Sequence, residues 1–419
     1  MGKAIVGVAS PEALIAASRD PSVSRIVITQ SLVDVPTVRL SPGQSLSGQS
    51  REIQCCFAQG EDGLQVSTDN AVKRLQLITD LNRRAIFNDT RVEGLGIIEL
   101  QQLQIIGLVH LLAREQVRSG HVDVQGLELL ASDASRAPER PRAYGVEVIP
   151  GAFTLWNQHA DPTVSLTAKL IGLSAGRPGS PVRGSGIFLS GASDAGGRLV
   201  VTDLQTGPVY SDGGIPAGTA DRISAGIFAG YGAFIDTVRN SGPVTTYGPN
   251  DMVLDNWGTV DSWIAEEKVT SFGPSAIGFV NFGTLNHLRV DGTIETYGRG
   301  SRGFNVYGGT VQTAEFNRIV THADGAVGVQ VSQPVGEIKV RRGVETHGGT
   351  GDSLVKGVVM KLAAIPLSVK PGGAVRKLEI KGGLVSKGER VPALELHGSI
   401  DSLHISGGFI AQGAGFDTI

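Results

Sequence analysis

Carboxylates and aromatic side chains occur close together in the C-terminal half of the sequence. Asp212, Asp251 and Asp255 form the densest group of acids near aromatic residues, and Asp212 borders a loop rich in glycine and proline. Sites that act on sugars combine aromatic side chains, which pack against the rings, with carboxylates, which transfer protons. We therefore expect these three acids, together with Glu295, to be catalytic carboxylates.

An internal repeat indicates which elements position these residues. The segments 254–258, 279–283 and 304–308 resemble one another at intervals of 25 residues. A second signature closes each unit with an aliphatic residue and, two positions later, a Ser or Thr: Val244 and Thr246, Val269 and Ser271, Ile294 and Thr296, Ile319 and Thr321, Val344 and Thr346, Leu384 and Ser386. Constancy at every second residue predicts strands with one buried face.

Units of this length, separated by glycine residues, predict an all-β fold. The specific architecture that they predict is a right-handed parallel β-helix in which each unit forms one coil. The units leave no room for a crossover helix, and a propeller blade needs about 40 residues. The six-residue repeat of left-handed solenoids is absent. Equivalent residues of successive coils are then expected to lie about 4.8 Å apart.

The whole chain is expected to form one domain. We assign residues 1–30 to an N-terminal cap, 31–185 to diverged coils and 186–419 to regular coils. Residues 11–17 predict a helix, with Pro and Glu in its first turn, that covers the unpaired strand edge at one end of the solenoid. Residues 174–184 and 212–220 are expected to be inserted loops.

The 25-residue coils, the hydroxyl column and the N-terminal helix resemble the pectin-lyase-like superfamily of right-handed β-helices. Members of that superfamily are mostly carbohydrate-active: lyases, glycoside hydrolases, esterases, epimerases, fructan transferases and phage tailspikes. The resemblance is architectural, and the motifs of polygalacturonases, alginate epimerases and pectate lyases are absent. It implies a fold and a class of substrate but no catalytic residue.

Two outward columns carry aromatic residues. One follows the hydroxyl column (Asp212, Tyr247, Phe272, Tyr297, His322, His347, Lys387), and the other reads Tyr231, Trp257, Phe282, Tyr307. Either column could form a platform for sugar rings, or stabilise neighbouring coils and contact another subunit of a dimer or trimer. The candidate substrate-binding residues are Tyr210, Tyr231, Tyr247, Trp257, Phe282, Tyr297, Tyr307 and His322.

The spacing of carboxylates can be judged from the coils. Glu295 and Glu345 share a column, two coils apart, with Val320 between them. An inverting glycosidase needs carboxyl groups about 6.5–9.5 Å apart, and a retaining one about 5 Å. The pair therefore suits an inverting geometry, although charged residues on a solvated face also produce this pattern.

Composition excludes several classes of protein. The chain has 37 basic and 40 acidic side chains and a net charge of −3, so bulk charge predicts no nucleic-acid partner. The most apolar stretch, 95–113, is interrupted by polar residues and predicts no membrane span. Adjacent Cys55 and Cys56 predict neither a disulfide framework nor a zinc site, and no metal or cofactor is expected. No secretion signal is evident, which favours the cytoplasm, or secretion if a signal has been removed.

Two functions are consistent with these patterns. The first is a carbohydrate-active enzyme that hydrolyses an oligo- or polysaccharide, or transfers a glycosyl group intramolecularly, through paired carboxylates on the outer face. The second is a non-catalytic structural or adhesive solenoid whose aromatic stripe is an oligomer interface. An oligomer that forms no sugar product would favour the second.

Overall fold

The structure, a computed structural model, describes residues 4–413. The helix Pro11–Arg19 begins after Ser10, whose hydroxyl accepts a hydrogen bond from the Ala13 amide at 3.2 Å. Leu14 and Ala17 are buried in the core against the first coil. The predicted N-terminal helix is therefore present, and within residues 4–413 no helix is long and apolar enough to cross a membrane.

Nearly all other regular elements are strands of two long sheets. The first sheet contains Ala4–Val8, Val23–Ile28, Leu32–Val35, Ser45–Gly48, Gln54–Phe57, Ala71–Ile78, Gly94–Ile106, Ser119–Ala131, Ser165–Ala175, Val182–Arg183, Arg198–Asp212, Ala233–Asn240, Val244–Thr246, Thr259–Ala265, Val269–Ser271, Thr284–Thr296, Thr310–Thr321, Pro334–Val340, Val344–Thr346, Ala374–Lys381, Leu384–Ser386, Ser399–Ser406 and Phe409–Ala411.

The second sheet packs against the first across the core. Its strands are Val38–Arg39, Leu64–Val66, Arg84–Asn88, Leu108–Ala113, Gly151–Asn157, Ser185–Ser190, Arg222–Ala229, Asp251–Asn256, Ile277–Asn281, Arg302–Val306, Val327–Val331, Leu367–Val369 and Leu394–Leu396. The hairpin of Arg142–Ala143 and Val146–Val148 is attached to it through the start of Arg222–Ala229. A separate antiparallel hairpin, the distal hairpin, pairs Thr350–Val355 with Val358–Ala363.

Parallel pairing follows the predicted register. Leu254 pairs with Phe279 and Phe279 with Phe304, while Val269 pairs with Ile294. The aliphatic and hydroxyl columns are both buried, as their constancy predicts. One continuous apolar core extends from Val8 to Ala393. The chain is thus a parallel β-helix solenoid.

Glycine is required where successive coils approach most closely. A Cβ atom on Gly273 would lie 1.7 Å from the carbonyl oxygen of Gly248, and one on Gly298 would lie 1.8 Å from the carbonyl oxygen of Gly273. No side chain fits at such separations. The repeated glycine after the closing signature therefore sets the local spacing of the coils.

Two hairpins cover part of the outer side of the second sheet. The proximal hairpin joins Arg142–Ala143 to Val146–Val148, and the distal hairpin is the one defined above. Tyr144 and Gly145 at one tip, and Lys356 and Gly357 at the other, all have positive φ angles between 48° and 85°, as type I′ turns require. The tips meet, because a Cβ atom on Gly145 would lie 2.8 Å from the Lys356 carbonyl oxygen.

Candidate functional site

Asp212 and Asp251, two of the predicted catalytic acids, both lie beside Gly248. A Cβ atom on that glycine would be 2.7 Å from an oxygen of each carboxylate. Asp212 is half-buried and accepts a hydrogen bond from the Gly214 amide at 2.8 Å. The structure therefore brings this predicted pair together at the start of the loop that follows Asp212.

Asp251 lies inside the protein, which corrects its expected position on the outer surface. Its carboxylate accepts hydrogen bonds from the Ser224 hydroxyl at 2.6 Å and from the amides of Gly213 and Gly248 at 3.0 and 2.7 Å. Burial raises the pKa of Asp251 to about 7, although these hydrogen bonds oppose the shift and nearby Asp212 adds to it. The donors belong to three different segments, so Asp251 fastens the loop to two coils.

Asp255 has the outward register that the sequence predicts, but it is covered. It pairs with Phe228 and Val280 on the neighbouring strands, and its side chain is fully buried. Neither carboxylate oxygen has a hydrogen-bond partner within residues 4–413. Burial raises the pKa of Asp255 well above its usual value, although the nearby Trp257 indole N–H opposes the shift. The expectation that it belongs to an exposed acidic patch is therefore wrong.

The aromatic stripe of Tyr231, Trp257, Phe282 and Tyr307 forms as predicted. The ring centroids of Trp257 and Phe282 are 5.7 Å apart, and those of Phe282 and Tyr307 are 5.3 Å apart. The proximal hairpin covers the stripe, with Tyr144 stacked on Phe282 at 4.3 Å and 18°. Trp257 and Tyr307 keep only 2% and 6% of their surface exposed, so the stripe is an internal contact rather than an open groove.

The other predicted column forms an exposed ladder of rings. Its members are stacked at centroid distances of 4.5 to 5.4 Å: Tyr247, Phe272, Tyr297, His322 and His347. The planes of the first four are within 13° of parallel from one ring to the next, so each interior ring has its faces against its neighbours. Phe272 and Tyr297 remain 46% and 40% exposed through their edges. Tyr210 pairs with Thr245 in the adjacent column and lies outside the ladder.

Glu295 and Glu345 occupy the predicted column, one on each side of Val320, and both carry cationic or histidine partners. Glu295 contacts His322 at 2.9 Å. Glu345 contacts Arg318 at 2.6 Å, His347 at 2.7 Å and the Lys387 ammonium.

These partners decide the pKa of each glutamate. Burial alone would raise it, but the hydrogen bond of His322 lowers the pKa of Glu295, and Lys387 and Arg318 lower the pKa of Glu345 to about 2. A general acid for glycoside cleavage needs a raised pKa. Neither glutamate has the environment of a proton donor at neutral pH.

A groove that the sequence analysis did not identify lies on the outer face of the second sheet in the N-terminal half. It has a volume of about 350 Å³, within the usual range for a ligand site. Its charged walls comprise four arginines and three acids, namely Arg83, Arg84, Arg114, Arg136, Asp62, Asp133 and Glu139, and Trp156 and His110 complete it.

Ion pairs hold part of this wall in place. Arg84 binds Asp62, and Arg114 Nη1 lies 2.9 Å from Glu139 Oε1. Arg83 and Arg136 are exposed at the rim. The Trp156 indole donates a hydrogen bond to the Gly191 carbonyl at 3.2 Å, which fixes the orientation of the ring.

His110 has a defined protonation state in this groove. Its Nε2 lies 3.0 Å from the Gly151 carbonyl oxygen, which can only accept, so Nε2 carries the hydrogen and Nδ1 is left as an acceptor. Burial lowers the pKa of His110 to about 4, so the imidazole is neutral at about pH 7. The groove thus combines a neutral acceptor with arginine donors.

The groove could not be recognised from the sequence because an insertion interrupts the repeat there. His110 pairs with Thr154, and Leu112 with Trp156, although residues 114–150, which include the insertion 132–150, intervene between the two strands. The two walls therefore do not align at the 25-residue interval. One sequence signal could have revealed the site: two apolar strands, 108–113 and 151–157, each carry a single side chain suited to ligand binding, His110 in the first and Trp156 in the second.

Within residues 4–413, no group of three or more His, Cys, Asp or Glu side chains is arranged to hold a metal ion. No protein-family model matches the chain, and no curated protein or solved structure compared with it is a significant match.

Proposed function

We propose that the chain binds an oligo- or polysaccharide that carries acidic groups, and that it does so in the groove around Trp156. The observation that carries this proposal is the convergence of four arginines, a neutral histidine and a fixed indole ring on one cavity of about 350 Å³. Arginine pairs with carboxylate and phosphate groups in a bidentate geometry, while an aromatic ring offers a flat apolar surface to a sugar.

The charge distribution supports an acidic ligand. Asp62 and Glu139 already pair with Arg84 and Arg114, and Asp133 accepts hydrogen bonds from Ser135, so the four arginines exceed the three acids of the lining by one charge. Arg83 and Arg136 extend from the rim, where an anionic ligand would meet them first. Rim charges chiefly raise the rate of association and make it dependent on salt. His110 Nδ1 would accept a hydrogen bond from a hydroxyl group of the same ligand.

Calorimetric titration with acidic and neutral oligosaccharides of matched length tests this proposal. We expect binding of oligogalacturonates but not of maltooligosaccharides, and about a tenfold loss of affinity in Arg136→Ala. Arg25→Ala, an exposed arginine on the first sheet, is the matched control and should bind as the wild type does. Equal binding by the two variants, or no acidic saccharide bound at all, would overturn the proposal.

A second candidate is hydrolysis or intramolecular glycosyl transfer by paired carboxylates, in which half-buried Asp212 contacts the substrate and buried Asp251 acts on it through Asp212. It is favoured by the closeness of the two carboxylates and by the raised pKa of Asp251, a combination that separates the roles of an acid and a base. We expect reducing ends or a cyclic product from a polysaccharide substrate, and loss of product in Asp212→Asn. Wild-type turnover in the Asn variants of Asp212, Asp251 and Asp255 would eliminate this candidate.

A non-catalytic structural or adhesive role is the alternative. It is favoured by the ring ladder, because interior rings whose faces are stacked on one another offer only their edges to a sugar. An oligomeric native mass that falls in Phe272→Ala, with no sugar product and no sugar-induced thermal shift, would support this role. A monomer that binds saccharide would contradict it.

A further inference from the structure

A small cavity lies beneath the tips of the proximal and distal hairpins. It measures about 30 Å³, enough for roughly two groups the size of a water molecule. The lining includes Tyr144, Lys356 and Gly357 from the two tips, and Asp255, Phe282 and Tyr307 from the second sheet. The outer wall therefore consists of the two turns that touch one another.

Asp255 is the unusual group in this lining. It is fully buried, and no donor within residues 4–413 meets hydrogen-bond geometry with either of its oxygens, although the equally unpaired Trp257 indole N–H is close enough to oppose the rise of its pKa. A buried carboxyl group without a partner destabilises a fold, because it loses its hydration and gains no hydrogen bond in return. Asp251, four residues earlier on the same strand, is stabilised in the ordinary way, since three donors surround its carboxylate.

The remaining walls are apolar: the rings of Tyr144, Phe282 and Tyr307 line the cavity together with six non-aromatic side chains, namely Val146, Ile223, Met252, Ile277, Val280 and Leu354. Tyr144 stacks on Phe282 at 4.3 Å and meets the edge of Trp257 at 5.0 Å, and Phe282 contacts Tyr307 at 5.3 Å. The faces of aromatic rings attract cations, most strongly where water is excluded, but Tyr144 and Phe282 each have one face stacked against the other and contribute to the cavity through their remaining apolar surface. A small apolar enclosure with one carboxyl group complements a monovalent organic cation, whose carbon atoms pack against the apolar side chains.

The protein already places cations against one of these rings. The Lys356 ammonium lies 5.3 Å from the centroid of Tyr307, and the Arg302 guanidinium carbon lies 5.7 Å from it. Lys356 Nζ also donates to the Tyr307 carbonyl at 3.5 Å, which holds it at the margin of the cavity without an ion pair to Asp255. The ammonium group of Lys356 therefore competes with the ammonium group of a free ligand for the ring of Tyr307.

We propose that this cavity binds the ammonium group of an organic cation, with Asp255 as its counter-ion and the rings of Tyr144, Phe282 and Tyr307 as its walls. The ligand's remaining atoms pass between the hairpin tips, which must separate to admit it. A hard divalent ion is excluded, because it needs about six oxygen ligands and this lining supplies a single carboxylate. A sugar ring is excluded by size.

Titration with methylammonium chloride, followed by calorimetry and by tryptophan fluorescence, tests this site. We expect saturable binding beyond the effect of equal sodium chloride, and about a tenfold or greater loss of affinity in Asp255→Asn. Asp236→Asn, an exposed acid on the first sheet, is the matched control and should bind as the wild type does. A response no larger than that to sodium chloride, or equal affinity in Asp255→Asn, would overturn the proposal.

A second variant keeps the test decisive if Asp255→Asn does not fold. Lys356→Met alters only the tip of an exposed hairpin and removes the tethered competitor. We expect it to bind methylammonium several-fold more tightly than the wild type. Unchanged or weaker binding in a folded Lys356→Met would contradict the placement of the ligand against Tyr307.

Discussion

The side-chain amide of Asn256 donates a hydrogen bond of 2.8 Å to the amide oxygen of Asn281, one coil further along the solenoid, and both residues are fully buried. Asn281 in turn donates to the Gly283 and Gly308 carbonyls, and the Gly258 amide donates to Asn256. The two asparagines thus satisfy the backbone where the chain turns from the second sheet to the first.

Replacing Asn281 with alanine should destabilise the protein by about 1–3 kcal/mol, because the Asn256 amide and two carbonyls lose buried partners. Asn286→Ala, which removes an exposed hydrogen bond to Asp261 on the next strand, should change stability by less than about 0.5 kcal/mol. Urea unfolding of both variants measures the difference. Equal losses would show that the asparagine pair has no special role.

Lowering the pH should weaken the contribution of Glu345 to the stability of the fold. Burial opposes ionisation, but Lys387 and Arg318 lower the pKa of Glu345 to about 2, below the value of about 4.3 in an unfolded chain. Ionised Glu345 therefore stabilises the fold above about pH 4.5, and this contribution is lost as the pH falls toward 2. The stability difference between wild type and Glu345→Gln, from urea unfolding, should shrink over that range. A difference independent of pH would contradict the assignment.

Asp251 should show the opposite dependence on pH. Burial raises its pKa to about 7 in the folded protein, against about 3.9 when unfolded. The folded state holds the proton longer, so the contribution of Asp251 is greatest below about pH 4 and declines as the pH rises to about 7. The stability advantage of wild type over Asp251→Asn should narrow across this interval in denaturant titrations. If the stability advantage of the wild type grew as the pH rose, the pKa of Asp251 would be lowered in the folded protein rather than raised.

Gly273→Ala should prevent folding or destabilise by more than about 3 kcal/mol, because its Cβ atom would overlap the Gly248 carbonyl oxygen. Gly207→Ala is the matched control, since the nearest atom to a Cβ atom there is 3.7 Å away. It should change stability by less than about 0.5 kcal/mol. Thermal unfolding and the yield of soluble protein compare the two. Similar behaviour would show that the coils can separate locally to admit a methyl group.

The register of the regular coils could be predicted because each coil repeats the same constraint. Val269, Ile294 and Ile319 each fill the same interior position, so their types vary little and the 25-residue interval is visible in the sequence. Stacking of Trp257, Phe282 and Tyr307 followed from that interval and is confirmed. The helix at residues 11–19 was also foreseeable, from its first turn.

Burial of the outward residues could not be predicted in this way. A column of the repeat shows which direction a side chain points, but not whether a distant insertion folds over it. Asp255 is covered by two hairpins whose residues do not follow the repeat. In the groove, the strand that carries His110 and the strand that carries Trp156 are separated in sequence by an insertion that includes the proximal hairpin. These contacts depend on the tertiary path of segments that occur once.

The meeting of Gly145 with Lys356 has a consequence for how the molecule unfolds. In a solenoid each unit ordinarily contacts only its neighbours, so that the array can fray from either terminus one layer at a time. Here two turns from opposite halves of the polypeptide are joined across the intervening layers. The layers between them cannot detach in sequence without first breaking that bridge, which raises the cooperativity of the transition and slows its formation from an open chain.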